Sequence, residues 1–159
     1  MSVYLIFSFS LLLILLLAYL ILWRINTRKY VSSGTVASAY DSWTQDKLLE
    51  RLWGEHIHLG FYPPKQNIDF REAKVQFVHE LISWSGLDKL PRGSRVLDVG
   101  CGIGGSSRLL ANYYGFNVTG ITISPAQVRR AIELTPSGCK CNFKVMDALD
   151  LKFEDGAFD

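Results

Sequence analysis

Cysteine and net charge are scarce in this 159-residue sequence, and each scarcity excludes a class of protein. Three cysteines are too few for a disulfide framework, so we expect reduced thiols in a cytosol-like compartment. Cys139 and Cys141 are two residues apart, but His or Cys partners at metal-finger spacing are missing, so we expect no metal site. A net charge of +2 argues against a nucleic-acid binder that relies on an overall basic surface. The apolar fraction of 48% predicts a folded chain.

Charged residues are also absent from Val3 to Trp23, a run of 21 residues. A helix of that length spans roughly 31 Å, which matches a hydrocarbon core about 30 Å thick. Tyr4, Tyr19 and Trp23 lie near its two ends, where amphipathic aromatic side chains prefer the membrane interface. We therefore predict that residues 1–30 form one transmembrane helix with a basic flank.

A cleaved signal peptide is the alternative for this segment. Signal peptides carry positive charge before a shorter apolar run and small residues just after it. Here no Lys or Arg precedes the run, and Arg24, Arg28 and Lys29 follow it, which favours an uncleaved anchor. By the positive-inside tendency, these bases predict that the rest of the chain lies on the cytoplasmic or stroma-like side. Without them, the remaining 14 bases face 15 acids.

Residues 31–92 read as a linker and a helical lead-in to the domain that follows. The small polar residues 32–35 predict a short linker, and the apolar spacing over 40–53 predicts a helix. Glycine and proline between 54 and 66 predict a loop, and residues 70–84 have the periodicity of an amphipathic helix. We expect this region to cover the cofactor and face the substrate.

Strands alternate with helices in residues 93–159. The pattern predicts strands at 95–99, 116–123 and 143–146, separated by helices at 106–114 and 125–134, with a fourth strand beginning at Phe158 and Asp159. Such alternation is typical of a parallel, doubly wound α/β sheet. The expected fold class is therefore α/β and Rossmann-like.

Four glycines stand within residues 100–105, where the first strand enters a helix. Glycines at this point let the main chain approach a ligand closely, and the helix start offers free N–H groups. Gly100, Gly102 and Gly105 satisfy the dinucleotide pattern G-x-G-x-x-G, which leaves a membrane-anchored NAD(P) oxidoreductase open. Asp98 favours another ligand, because an acid two residues before the glycines suits a positively charged group and suits a pyrophosphate poorly.

With Asp98, the loop reads D-x-G-x-G-x-G and resembles motif I of class I S-adenosylmethionine (SAM) methyltransferases. The second strand ends in Gly120-Ile-Thr-Ile-Ser-Pro-x-Gln127, with Thr122 where both general patterns have an acid. Together with Tyr40-Asp41 and Trp53-Gly-Glu-His-Ile-His-Leu-Gly-Phe-Tyr62, these motifs resemble the tocopherol methyltransferase family. The similarity is to its membrane-anchored phytyl-benzoquinol type, found in cyanobacteria, and extends from the hydrophobic N-terminus to Asp159.

The resemblance implies SAM as cofactor and transfer of its methyl group to a ring carbon of a prenylated hydroquinone or chromanol in the bilayer. Family analogy places Tyr40 over the methionine end of SAM, Thr122 and Gln127 near the ribose, and Asp147 near the adenine. His56 and His58 are the candidates for accepting a phenolic proton, although a structural role in the lid is the alternative for both. The implied cofactor-binding residues are Tyr40, Asp98, Gly100, Cys101, Gly102, Gly104, Thr122, Ile123, Gln127, Asp147 and Ala148.

The resemblance also implies a sheet of seven strands, of which this chain supplies about three. We therefore expect the chain to be an N-terminal fragment that is inactive alone. Two further alternatives stay open: a sterol or small-amine methyltransferase, and a non-catalytic membrane adaptor with a relic fold. No nucleic-acid partner is expected, and the sequence carries no signal for an oligomeric state.

Overall fold

The computed structural model describes residues 2–26, 32–64 and 67–159, and it divides the chain into residues 1–32 and 33–159. The first unit contains helix α1, Ser2–Asn26, whose side chains are described for residues 11–23. Within the described residues, no helix is long and apolar enough to cross a membrane. The prediction for the basic flank at Arg28 and Lys29 lies outside the described residues, as does that for the side chains of Tyr4 and Arg24.

The second unit begins with three helices: α2, Ser33–Gln45, α3, Leu48–Trp53, and α4, Phe70–Ser85, the last followed by a short 3-10 turn at Leu87–Lys89. The prediction of a linker at 32–35 is wrong for residues 33–35, which are helical. The single helix predicted over 40–53 is broken between α2 and α3. Lys47 adopts left-handed φ of 55°, and the Asp46 carboxylate accepts a hydrogen bond from Leu48 N at 2.8 Å. This local bond offers the backbone an alternative to a continuous helix.

Helix α4 confirms the predicted amphipathic helix to within one residue. Its first turn is capped by the Asp69 carboxylate, which accepts hydrogen bonds from Arg71 N and Glu72 N at 2.7 and 2.9 Å. Its last turn ends at Gly86, which takes the left-handed conformation typical of a residue after a helix. The buried residues of α4 that join the core around β1 and β2 are Val78 and Ile82.

Three parallel strands form the sheet in the described part of the chain: β1, Arg95–Val99, β2, Asn117–Thr122, and β3, Cys141–Val145, in the order β1-β2-β3. Two crossovers connect them. The first is α5, Gly105–Leu109, continued by a π-helical turn at Leu110–Tyr114, and the second is α6, Pro125–Leu134. The predicted alternation of strands and helices is therefore confirmed, with β3 beginning two residues earlier than expected.

The predicted fourth strand is not formed within the described residues. Asp159 instead lies beside β1, where its backbone N–H donates to Arg95 O at 3.0 Å and its carboxylate accepts from the Arg95 side chain. A strand needs a run of such ladder bonds, and Asp159 makes one of them.

The register of the sheet aligns the ends of its strands. Asp98 pairs with Gly120, and Gly120 pairs with Phe143, so residues that follow β1, β2 and β3 emerge at one edge. Phe116, Val118 and Ile121 are at most 2% exposed, which anchors β2 in the centre of the core. Ligands of open α/β sheets bind at this carboxyl edge.

Candidate functional site

A cleft of about 350 Å³ opens at the carboxyl edge of the sheet. Its floor comes from the turns that follow the three strands, and its cover comes from α2 and the loop after α3. The lining residues are Tyr40, Glu55, His56, Ile57, His58, Asp98, Val99, Gly100, Cys101, Gly102, Ile103, Ser106, Ile121, Thr122, Ile123, Gln127, Met146 and Ala148. Residues from three helices and two strands, and from the turns that connect them, thus meet around one cavity.

The glycine loop is tied to the end of β2. The backbone N–H groups of Gly100 and Cys101 both donate to Ile121 O, at 2.8 and 3.0 Å. Gly100 and Gly102 have φ values of 76° and 56°, and a Cβ atom on either would meet nothing within 4 Å. These two glycines therefore keep the loop in a conformation that side chains rarely adopt and leave open space beside the main chain.

Gly104 differs from the other glycines of the loop because it faces the core. A Cβ atom there would lie 2.7 Å from Cζ of Phe143, a buried residue of β3. Gly104 does not line the cleft, so its expected cofactor contact has no support in this geometry, and its position serves the close packing of the loop on β3.

Asp98 lies one residue before the end of β1 and lines the cleft. Its Oδ2 accepts a 2.6 Å hydrogen bond from the hydroxyl of Ser107 in α5. Burial raises the pKa of Asp98 above its ordinary value, although the Ser107 hydrogen bond and the nearby His58 act in the opposite direction. A desolvated carboxylate of this kind gains stability when a cation enters the cleft, because the cation replaces the lost water.

A buried polar pair occupies the end of β2. The Thr122 hydroxyl donates to Oε1 of Gln127 at 2.7 Å, and both residues are buried. The oxygen of the Gln127 amide is thereby committed, while its NH₂ group retains donor hydrogens. Ser124, the N-cap of α6, accepts from Gln127 N at 3.1 Å and holds this residue at the cleft.

One ion pair and one carboxylate that accepts two hydrogen bonds fasten the lead-in helices to α6. Asp41, next to Tyr40, accepts from the Ser124 hydroxyl at 2.5 Å and from Ala126 N at 3.0 Å. The Ser124 hydrogen bond is the main reason that the pKa of Asp41 is lowered. Farther along, Glu50 pairs with Arg130 at 2.6 Å. These contacts hold Tyr40 in the lining of the cleft.

The loop after α3 is held against the start of α5. The Glu55 carboxylate pairs with Arg108 at 2.5 Å, and the buried Arg108 side chain also donates to Ile103 O at 2.9 Å. Gly105 allows the closest approach, since a Cβ atom there would lie 2.6 Å from Glu55 O. The loop therefore packs on bare backbone, and it carries His56 and His58 into the cleft lining.

The two histidines form a short hydrogen-bonded chain. His58 Nδ1 lies 2.8 Å from Leu59 O, and His58 Nε2 lies 3.3 Å from His56 Nδ1. A carbonyl only accepts, so His58 Nδ1 carries a proton and its Nε2, when the ring is neutral, accepts from His56 Nδ1. The lone pair of a neutral His56 is then on Nε2. Burial is the main cause that lowers the pKa of His56 to about 4, so this ring is neutral at physiological pH.

The lowered pKa of His56 predicts a loss of folding stability on acidification. The unfolded chain binds a proton with a pKa near 6.5, and the folded chain with one of about 4. The contribution is therefore fully present above about pH 6.5 and is lost as pH falls towards 4. It amounts to at most about 2 kcal/mol after allowance for solvent that still reaches the ring. Urea denaturation at several pH values would measure it.

His56→Gln should flatten this pH dependence, because glutamine does not titrate. His79→Gln is the matched control: His79 lies on α4, outside the cleft lining, where its Nδ1 is 2.7 Å from the Tyr114 hydroxyl. An equal loss between pH 6.5 and 4 in wild type and His56→Gln would contradict the prediction.

The structure brings most of the sequence-predicted site residues together. Both histidines line the cleft, as do all the expected cofactor residues except Gly104 and Asp147. Asp147 lies directly after β3, but its Oδ1 accepts from Leu149 N at 2.9 Å and shapes its own turn. Sequence reasoning missed the lining residues Glu55, Ile57, Val99, Ile103, Ser106, Ile121 and Met146. Val99 and Ile121 lie in predicted strands, and Met146 ends the third predicted strand, so strand ends were the available signal.

Comparison with known proteins gives a domain match and two informative relatives. Residues 96–159 match a family model described as a methyltransferase domain. The chain is 59% identical over 140 residues to 2-methyl-6-phytyl-1,4-hydroquinone methyltransferase of Synechocystis sp., which covers 87% of this chain and 44% of that protein. It is 42% identical to the chloroplastic tocopherol O-methyltransferase of Arabidopsis thaliana, over 70% of this chain and 35% of that protein. The chain thus spans less than half the length of these relatives.

Among solved structures, the chain is similar to the [4+2]-cyclase SpnF, with a TM-score of 0.71 and 29% identity. The match covers 81% of this chain and 47% of SpnF. A protein described as a cyclase therefore shares this fold, so the fold alone does not determine the reaction.

Proposed function

We propose, from the premise that the chain belongs to the class I SAM-dependent methyltransferases, that its cleft binds SAM for methylation of a prenylated hydroquinone at a ring carbon. The observation that carries the ligand assignment is the charge of the cleft. Its described lining includes Asp98 and Glu55 but neither Lys nor Arg. SAM carries a sulfonium and an ammonium group against one carboxylate, whereas a dinucleotide carries a pyrophosphate.

The cleft residues fit the parts of SAM. Asp98 provides a carboxylate for the cationic methionine end, and the open space beside Gly100 and Gly102 lets the ligand approach the main chain. Gln127, with its amide oxygen held by Thr122, offers donor hydrogens for the ribose hydroxyls. Tyr40 covers the cavity from α2, and Ile123 and Ala148 add apolar contacts for the adenine.

Bound SAM would supply an already activated methyl group, so the protein has mainly to position the acceptor and receive a proton. A phenol ring carbon becomes a better nucleophile when its hydroxyl loses that proton. His56 is the base we assign, because its Nε2 holds a lone pair and the ring lines the cleft. His58 orients it through the 3.3 Å contact with its Nδ1.

The acceptor class is proposed from the relatives, one named for a phytyl hydroquinone and the other for tocopherol.

We also propose that Val3–Trp23 within α1 anchors the protein in the membrane, with residues 33–159 on the cytoplasmic or stroma-like side. Its 21 uncharged residues support the anchor, as do the described side chains of 11–23, each of which is exposed. An anchored cleft meets a bilayer-dissolved acceptor at high effective concentration.

Calorimetry with the purified chain in detergent tests the cofactor. We expect SAM to bind and NAD to leave no heat signal, and the reverse result would overturn the assignment.

The acceptor is tested with the complete gene product, methyl-labelled SAM and a phytyl hydroquinone, and the product is located by NMR. A ring C-methyl signal supports the proposal, whereas an O-methyl product, or transfer to a sterol alone, contradicts it.

Retention in the membrane pellet after alkaline carbonate extraction tests the anchor, and release into the supernatant would refute it.

A further inference from the structure

Two cysteines lie side by side at the start of β3, outside the lining of the cleft. The Sγ atoms of Cys139 and Cys141 are 3.5 Å apart. A tight turn brings them together, since the backbone N–H of Cys141 donates to Cys139 O at 2.8 Å. Lys140 O between them accepts from Val118 N at 2.8 Å, which fastens the turn to β2. The proximity of the two sulfurs is thus enforced by the sheet.

The surroundings of the pair favour thiol chemistry over metal binding. Among the described residues, no cluster of three or more His, Cys, Asp or Glu side chains is arranged to hold a metal ion. Both cysteines are free thiols, and each is half-buried, so solvent reaches them. Cys101 provides the contrast: it is 8% exposed and lines the cleft.

We propose that Cys139 and Cys141 form a reversible intrachain disulfide, which makes the start of β3 a site of redox modification. A disulfide requires an S–S distance of about 2.05 Å, so the two sulfurs approach by about 1.5 Å. Rotation of the two side chains within the turn supplies this movement. The backbone is already close, because the turn brings the Cys141 N–H within 2.8 Å of Cys139 O.

The oxidant is a disulfide compound of low molecular weight, and the exchange has two steps. The Cys139 thiolate attacks one sulfur of the oxidant, which forms a mixed disulfide and releases one thiolate. Cys141 then loses its proton to solvent and attacks Cys139 Sγ, which forms the intrachain bond and releases the second thiolate. Two electrons pass from the cysteine pair to the oxidant, which leaves as two thiols.

The environment of Cys141 explains this order. Its Sγ lies 3.3 Å from Ser107 O, an acceptor that holds the thiol hydrogen. Burial raises the pKa of Cys141 to about 12, so the free thiolate is rare before Cys139 has reacted. Cys141 is therefore the resolving residue.

The test equilibrates the chain with buffers of reduced and oxidised glutathione, followed by acid quenching, denaturation and alkylation with N-ethylmaleimide. We expect the intact mass to show three alkyl groups under reducing conditions and one under oxidising conditions. The loss of two should be unchanged in Cys101→Ala and absent in Cys139→Ser and Cys141→Ser. Cys141→Ser should instead accumulate a mixed disulfide with one glutathione on Cys139.

Three alkyl groups at every glutathione ratio would overturn the proposal. It would equally fail if two groups were still lost in Cys139→Ser, since the bond would then involve Cys101. Peptide mapping of the oxidised chain separates an intrachain bond from a covalent dimer, and a dimer alone would also refute the assignment. None of these readings depends on SAM binding or on methyl transfer.

Discussion

Asp98→Asn is expected to weaken SAM binding by about 10- to 100-fold. The substitution keeps the shape of the side chain and removes the carboxylate charge at the end of β1. A hydrogen bond to a charged group is worth roughly 1.5–3 kcal/mol, and each 1.4 kcal/mol is a factor of ten in the dissociation constant. Calorimetric titration with SAM measures the change directly.

Asp88→Asn is the matched control for this variant. Asp88 is an exposed carboxylate in the 3-10 turn after α4, and it does not line the cleft. Its SAM affinity should equal that of wild type, which separates a local effect from the loss of one negative charge. Equal affinities in Asp98→Asn and wild type would rule out a contact between this carboxylate and the cofactor.

Burial of Asp98 also predicts the sign of a pH dependence. Its pKa is raised, so its carboxylate takes up a proton at a higher pH than an exposed aspartate does. A cation binds the ionised form, and SAM affinity should therefore decrease as pH falls through the raised pKa. In the ligand-free chain, the raised pKa of Asp98 contributes to folding stability when the pH is below the pKa of this group in the unfolded chain. This contribution is lost as pH rises through the pKa of Asp98 in the folded chain. Asp98→Asn should remove both dependences.

Gly105→Ala is expected to destabilise the fold by roughly 1–3 kcal/mol and to weaken SAM binding several-fold. In an uncrowded helix, the same change would stabilise by about 0.4–1 kcal/mol. Here the added methyl group would meet Glu55 O at 2.6 Å and Glu55 C at 3.0 Å. Both atoms are backbone, so a side-chain rotation cannot relieve the clash and the loop bearing His56 and His58 must move.

Urea denaturation and limited proteolysis of the loop after α3 would measure this effect. Ser106→Ala is the neighbouring control, since it alters the next residue of α5 and removes only a 3.4 Å contact with His56 Nδ1. We expect its stability to stay within about 0.5 kcal/mol of wild type. A Gly105→Ala protein as stable as wild type would show that this close approach does not constrain the loop.

The break between α2 and α3 illustrates where sequence patterns were insufficient. Leu48, Leu49, Leu52 and Trp53 have helical spacing, which predicted one helix from residue 40 to residue 53. The fold instead directs two short helices onto α6 through Asp41 and Glu50, which contact Ser124 and Arg130 more than 75 positions later. Apolar periodicity reports the inward face of a helix but does not report polar contacts between distant segments.

The α/β alternation, the glycine turn with Asp98 and most of the cleft residues could be predicted from the amino-acid sequence. These features are local, because they follow from periodicity, turn chemistry and motif spacing within a few residues. Tertiary structure alone decided that Glu55 pairs with Arg108, that Gly105 packs on the loop after α3, and that Gly104 faces Phe143. Those contacts depend on how distant segments pack in three dimensions, which no short window of the sequence encodes.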